Sequence, residues 1–184
     1  SALCSAIRDA VDVYGCRIIN ISSGVSIDDE ALREAIEHAE EKGVIVISSA
    51  GNSNQYAPDE IFYPAAYETV VSVGSVNEDM RVSDFSQRND KVTVTAPGEN
   101  IYSIPIGPSK DFVQVSGTSF SAAYVSGFAA LLLSKYPEIS PAEFRQILME
   151  TSQDLGEEGY DTAYGYGIIS VSGALEYCEA IVNN

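Results

Sequence analysis

A serine that follows a glycine and opens an apolar helix is the first place in this sequence where chemistry could reside. The stretch is Gly117-Thr118-Ser119-Phe120-Ser121-Ala122-Ala123-Tyr124-Val125-Ser126-Gly127. A short extended run, Phe112 to Ser116, precedes it, and the apolar pattern continues to about Tyr136. Ser119 is thereby placed at a helix N-terminus. Unpaired backbone N–H groups and the helix dipole favour developing negative charge there. Gly117 lets another backbone approach closely. Such a hydroxyl suits a nucleophile once a base takes its proton. The competing reading is a helix cap, a role serine and threonine fill often.

The elements around it follow from periodicity. Leu3, Ile7, Val11 and Tyr14 recur at helical spacing, and Gly15 ends that helix. Arg17 to Ser23 reads as a short apolar strand. Asp28 to Lys42 reads as a second helix, with Leu32, Ile36 and Ala39 inward and Gly43 as its stop. Val44 to Ser49 is almost continuously apolar, as a strand buried on both faces should be. Val70 to Val76 and Val92 to Thr95 are further strands. Ser140-Pro141-Ala142-Glu143 is a capping box with proline at the first helical position, and the helix it opens buries Phe144, Ile147 and Leu148. A last helix runs from about Ser172 to Val182. Strands alternating with helices predict an α/β sandwich with a mostly parallel sheet, in one domain spanning residues 1–184. Ligands of such folds sit at the carboxyl ends of the strands. Ser23, Asn52 and the loops after Val76 and Thr95 lie at such ends.

Composition bounds the function. The chain has 184 residues, 45% apolar and 20% charged, enough for one domain with a real core. No run approaches the roughly 20 apolar residues of a membrane span. The first residues show no signal-peptide pattern, and a preceding region could carry one. A net charge of −17 argues against nucleic acid and anionic membranes as partners. It could favour basic peptide segments, or simply provide a solvated acidic surface. The three cysteines, Cys4, Cys16 and Cys178, cannot all pair internally and show no metal-binding spacing. Each lies in or beside an apolar pattern, so they read as buried free thiols. That leans toward a reducing compartment such as the cytoplasm.

The Gly-Thr-Ser segment, with small residues after it and a Val-x-Gly close, resembles the nucleophile motif of the subtilisin-like serine proteases (subtilases, peptidase family S8). Other segments fall in that family's order. Ile19-Asn20-Ile21-Ser22-Ser23-Gly24 is similar to its substrate-binding strand, and Ser48-Ser49-Ala50-Gly51-Asn52 to its oxyanion-asparagine segment. Phe62 to Tyr67 with Val70 to Gly74, Thr95 to Gly98, and Tyr164 to Ile168 resemble later loops and strands. The resemblance covers nearly the whole chain. It implies a three-layer α/β sandwich that lacks the family's N-terminal strands.

The resemblance also implies roles. Ser119 would be the nucleophile and Asn52 an oxyanion donor, against the alternative that Asn52 is a left-handed turn residue. Ser22, Ser23 and Gly24 would hold a peptide in extended form through backbone hydrogen bonds. Ser49, Ala50 and Gly51 would line the pocket for the side chain before the scissile bond. Phe62 would sit at that pocket's floor, where many relatives have a small residue, and would favour small substrate side chains. The Tyr63–Pro64 bond would be cis. Carbonyls of Ala65, Tyr67 and Val70 would match a family cation site. Lys91 stands where relatives often have an acidic ligand, so no metal or other cofactor is expected.

The triad order in this family is Asp, His, Ser, and the Asp and His precede the substrate strand. This sequence begins one helix before that strand, at Ser1 rather than Met. It reads as an N-terminally incomplete catalytic domain, a fragment or processed chain, although Met removal alone also leaves such a start. His38 is the sole histidine, and its spacing puts it on the outer, solvated face of an acidic helix. Asp84 and Asp111 have no triad counterpart. In a subtilisin, removing the His costs about 10⁶ in turnover, as much as removing the whole triad. The isolated chain is therefore expected to be inactive. A serine endopeptidase missing its upstream segment is the first reading. A pseudoprotease that binds peptides or regulates is the second, and a truncated gene the third. The Arg17–Ser23 strand would lose a neighbour, so self-association, strand exchange or a partner chain is expected.

Overall fold

In the computed structural model, residues 1–58, 60–105, 107 and 111–182 are described. The order is α1 (Ala2–Asp12), β1 (Ile18–Ile21), α2 (Glu30–Glu41), β2 (Ile45–Ser49), β3 (Val71–Val76) and β4 (Val94–Pro97), then β5 (Ile101–Ser103), β6 (Val113–Val115), α3 (Thr118–Lys135), α4 (Pro141–Thr151) and α5 (Val171–Val182). Strands β1 to β4 form one parallel sheet in sequence order, and β5 and β6 form a small antiparallel pair. Register is fixed at Ile19↔Val46, Ser48↔Ser72 and Gly74↔Thr95.

Alternate residues of the central strands enter two cores, as the two-residue side-chain period requires. Ile45, Ile47, Val71, Val73, Val94 and Ala96 pack under α3, α4 and α5 with Phe128, Leu132 and Phe144. Ile21, Val44 and Val46 pack under α1 and α2 with Ile7, Leu32 and Ile36. The result is three layers, helices on both faces of a parallel sheet, as the alternation predicts. Burying a side chain such as Phe144 stabilises by about 1.5–3 kcal/mol. Its ring lies 5.9 Å from that of Phe128, a tilted aromatic pair. The cysteines are unpaired, with Cys4 and Cys178 buried and Cys16 half-buried. Burial pushes the Cys178 thiol above its ordinary value.

Three details differ from the periodicity. Tyr14 falls outside α1 and is exposed, because the helix stops at Asp12. His38 is half-buried rather than on a free outer face, and its Nε2 lies 2.9 Å from an Asp12 carboxylate oxygen of α1. β5 is a strand that no pattern announced.

The two edges of the sheet are finished differently. Along β4, Tyr166 N–H donates to Thr93 O at 2.9 Å, Thr95 N–H to Gly167 O at 2.8 Å, and Ile169 N–H to Thr95 O at 3.1 Å. The segment from Tyr166 to Ile169 thus covers that edge. β1 is the other edge, paired on one side only among the described residues.

Candidate active site

The carboxyl ends of β1 and β2 meet the N-terminus of α3. Ser119 lies in the first turn of α3, and its side of the helix is half-buried. Gly117 is the N-cap residue and has no side chain to close the helix end. The cap comes from another element. Asn52, three residues past β2, accepts from Thr118 N–H and from Thr118 Oγ1, each at 2.9 Å. A backbone N–H can only donate, so the amide atom facing it is the oxygen Oδ1. Nδ2 is left as a donor, and among the described residues it has no hydrogen-bond acceptor. An added Cβ on Gly117 would stand 3.4 Å from Nδ2. Asn52 is not in a left-handed conformation; Gly51, at φ +119°, takes that role.

Thr118 is the residue that sequence reasoning missed. Its hydroxyl also accepts from Gly51 N–H at 3.3 Å, so one buried side chain ties the Asn52 segment to the helix. Its position beside Ser119 was the only signal for it. Gly98 seats the same helix end. Its carbonyl accepts from Gly117 N–H at 2.8 Å, and a Cβ there would overlap Ser121 Oγ.

Ser22, Ser23 and Gly24 follow β1 and are exposed. Ser22 Oγ donates to the Ser119 carbonyl at 3.3 Å and accepts from Asn20 Nδ2 at 3.0 Å. Ser49 ends β2 and is buried, as is Ala50, whose N–H donates to Val73 O at 3.0 Å. Gly51 O accepts from Gln87 N–H at 3.0 Å. Phe62 lies between the two walls. A Cβ on Gly51 would stand 2.6 Å from Phe62 Cδ2, and one on Gly24 would stand 3.2 Å from Phe62 Cβ. Val25 and Tyr63 then bond backbone to backbone at 3.0 and 2.8 Å, tying the Ser22–Gly24 wall to the loop that carries Phe62. Tyr67 anchors the far side of that loop by donating to Asp28 and to Asp29 O. Desolvation, then the Asp28 contact, pushes its phenol up to about 12.

The structure therefore brings Ser119, Asn52, Ser22 to Gly24, Ser49 to Gly51 and Phe62 into one place. Other residues lie elsewhere. Ala65, Tyr67 and Val70 are near a separate cavity of about 270 Å³, lined by Tyr67, Val70, Asp90 and Lys91 among others. The Tyr67 carbonyl already accepts from Val70 N–H, and Lys91 Nζ sits 3.5 Å from Asp90. The Lys91 ammonium in that lining opposes a divalent cation, whereas the Glu68 and Asp90 carboxylates beside it favour one. The Tyr63–Pro64 bond is cis. His38 belongs to the helical layer across the sheet from α3. Among the described residues, the Ser119 hydroxyl has no hydrogen-bond partner.

Comparison with known proteins bears on this geometry. The family model described as the Subtilase family matches residues 2–167. Subtilisin DY of Bacillus licheniformis is 37% identical over 177 residues, which are 96% of this chain and 62% of that protein. Subtilisin E of Bacillus subtilis is 34% identical over 160 residues, covering 86% of this chain and 41% of its own. The chain thus spans less than two thirds of each of these relatives. Among solved structures, a lanthipeptide protease superposes with TM-score 0.82 at 30% identity, over 96% of this chain and 65% of its own. A psychrophilic subtilisin-like protease from an Antarctic Pseudoalteromonas superposes at 0.87 over 98% and 74% of the two chains, and at 20% identity it shows the fold alone. With the family model covering most of its length, the chain belongs to the subtilase family.

Proposed function

We propose that this chain carries the nucleophile and oxyanion half of a serine endopeptidase centre. The observation that supports it most is the Asn52–Thr118 contact, which uses Oδ1 and leaves Nδ2 as a donor next to Gly117, at the helix end that carries Ser119. In the reaction, Ser119 Oγ attacks the peptide carbonyl carbon while its proton passes to a base. The oxygen that becomes negative takes hydrogen bonds from Asn52 Nδ2 and the Ser119 N–H. The C–N bond then breaks, the amine leaves with the base's proton, and water releases the acyl group by the reverse order of steps. No described residue is hydrogen-bonded to Ser119 Oγ, and in this reading the base comes from an upstream segment, in the triad order of the family. Ser22 to Gly24 and Ser49 to Gly51 form the two walls that hold an extended peptide, and Phe62 restricts the pocket between them to small side chains.

Intact mass after fluorophosphonate treatment tests this, beside a Ser119→Ala control. The isolated chain is expected to stay unlabelled. With its base supplied, it should gain one adduct that the control lacks. Labelling at another residue overturns the assignment. The bare Ser119 hydroxyl also favours a second reading, a peptide-binding pseudoprotease. Tight peptide binding without cleavage by the complete protein would select it.

A further inference from the structure

Helix α3 carries Ser119 at one end and reaches a cavity at the other. Its 18 residues span about 27 Å at the rise of an α-helix. Past its last turn the chain bends through Tyr136 and Pro137 into α4, and the end of α5 lies alongside. Together these three helix ends enclose about 440 Å³. That volume lies within the roughly 300–1,000 Å³ of small-molecule sites. Tyr136, Ile139, Ile147, Tyr177, Cys178 and Ile181 form its apolar walls. Ile147 and Cys178 are each 5% exposed and Ile181 58%, so the apolar lining runs from the core out to the surface.

Most polar groups there already have partners. Lys135 pairs with Glu179, and its ammonium lies 5.3 Å from the centre of the Tyr136 ring. The Glu143 carboxylate is held by Ser140 in the α4 cap. Gln146 is exposed to solvent. Arg17, across the loop, donates to Pro137 O at 3.0 Å. Two groups remain. The Tyr136 hydroxyl is buried and has no hydrogen-bond partner among the described residues. A polar atom left in that state is destabilising until something bonds it. Glu138 lines the same cavity, and no ion pair to it is found among the described residues.

We propose that this cavity binds a small amphiphilic amine. Its alkyl or aryl body lies against Ile139, Ile147 and Ile181, and its ammonium donates to the Tyr136 oxygen near the Glu138 carboxylate. Charge selects the amine. The lining sets one lysine against two glutamates, and Glu179 offsets that lysine in turn. A fatty-acid head would face those carboxylates. A phenol oxygen, by contrast, accepts from an ammonium, and tyrosine rings attract cations. The site stands apart from the serine chemistry and does not rest on it.

Calorimetry of the whole chain with phenylbutylamine, phenylbutanol and phenylbutanoate tests the proposal. The amine is expected to bind at one site with Kd below about 1 mM, within reach of a ligand of this size. It should bind about tenfold tighter than the carboxylate, with the alcohol between them. An acidic protein draws amines to its whole surface, so location needs its own readout. With amine at about ten times its Kd, Cys178 should react with N-ethylmaleimide about tenfold more slowly, while Cys16 is unaffected. Ile181→Lys puts a cation on an exposed part of the wall. It should weaken the amine about tenfold and narrow its lead over the carboxylate, with unchanged circular dichroism. Tyr136→Phe should weaken the amine about fivefold. Equal affinity for amine and carboxylate overturns the ligand class. Amine binding that leaves Cys178 unprotected and ignores Ile181→Lys is general surface attraction and overturns the site, as does the absence of saturable binding.

Discussion

Helix α4 caps itself, whereas α3 borrows its cap. At α4, Ser140 Oγ accepts from Glu143 N–H at 3.2 Å, and the Glu143 carboxylate accepts from Ser140 N–H at 2.8 Å. The two residues close the helix end against each other, three positions apart. At α3, glycine stands at the cap and the accepting oxygen comes from Asn52, 66 residues earlier. A self-capped end is finished and inert. A borrowed cap satisfies the Thr118 N–H, and Gly98 O and Gly117 O take the Gly117 and Phe120 N–H groups, which leaves the Ser119 N–H and the Asn52 amide nitrogen for something else. On the proposed function, the difference separates a helix end built for stability from one built to receive negative charge.

Asn52 offers the largest break of that contrast. In the complete, base-supplied protein, Asn52→Ala is expected to lower turnover by about 10²- to 10³-fold, the magnitude measured for the matching donor of a subtilisin. Asn52→Asp keeps the capping oxygens and loses the Nδ2 donor. Its urea midpoint should stay near wild type while turnover falls as in the alanine variant. Equal turnover in both wild type and Asn52→Asp would reduce Asn52 to a cap. Next comes Gly117→Ser, which attempts to give α3 its own cap. At φ +156° with Asn52 Nδ2 at 3.4 Å from the new Cβ, it should cost about 1–3 kcal/mol in urea unfolding. A stabilised variant would show that α3 could have capped itself. Ser140→Ala removes the self-cap of α4 and is expected to cost about 1 kcal/mol by the same measurement.

The smallest effect is a pH dependence. Hydrogen bonds from the Ser140 hydroxyl, then its backbone N–H, hold the Glu143 carboxyl below its ordinary value. A lowered folded value stabilises the native state above the unfolded glutamate value, and the gain is lost as pH falls through the folded one. The difference in thermal midpoint between wild type and Glu143→Gln should therefore shrink as pH drops from 7 toward 3. A constant difference would show that the capping carboxylate does not titrate in this way.

The two helix ends were unequally legible. The α4 cap could be read from four consecutive residues because its partners are local. The spacing of Val44 to Ser49 gave a buried strand, and the structure has one at Ile45–Ser49. Asn52 and Ser119 stood out as candidate site residues through their resemblance to a family, and the structure places both at the N-terminus of α3. Their connection through Thr118 was not, since it joins residues far apart in sequence. The Tyr166–Ile169 cover of β4 and the His38–Asp12 pair escaped for the same reason. β5 has three residues, too few for its alternation of burial to stand out in the sequence.

The cover on β4 also orders events in time. Thr95 and Gly167, which bond to each other, are 72 residues apart. Closing a loop of that length costs about 4 kcal/mol in chain entropy before its contacts form. A growing chain has all four strands of the sheet well before it has that cover. For that interval the β4 rim of the sheet is open, and the nascent protein is most prone to pair with a neighbour there. Contacts of such sequence separation form late in folding. Pulse-labelled exchange should accordingly find the Thr95 amide protected after those of β2 and β3.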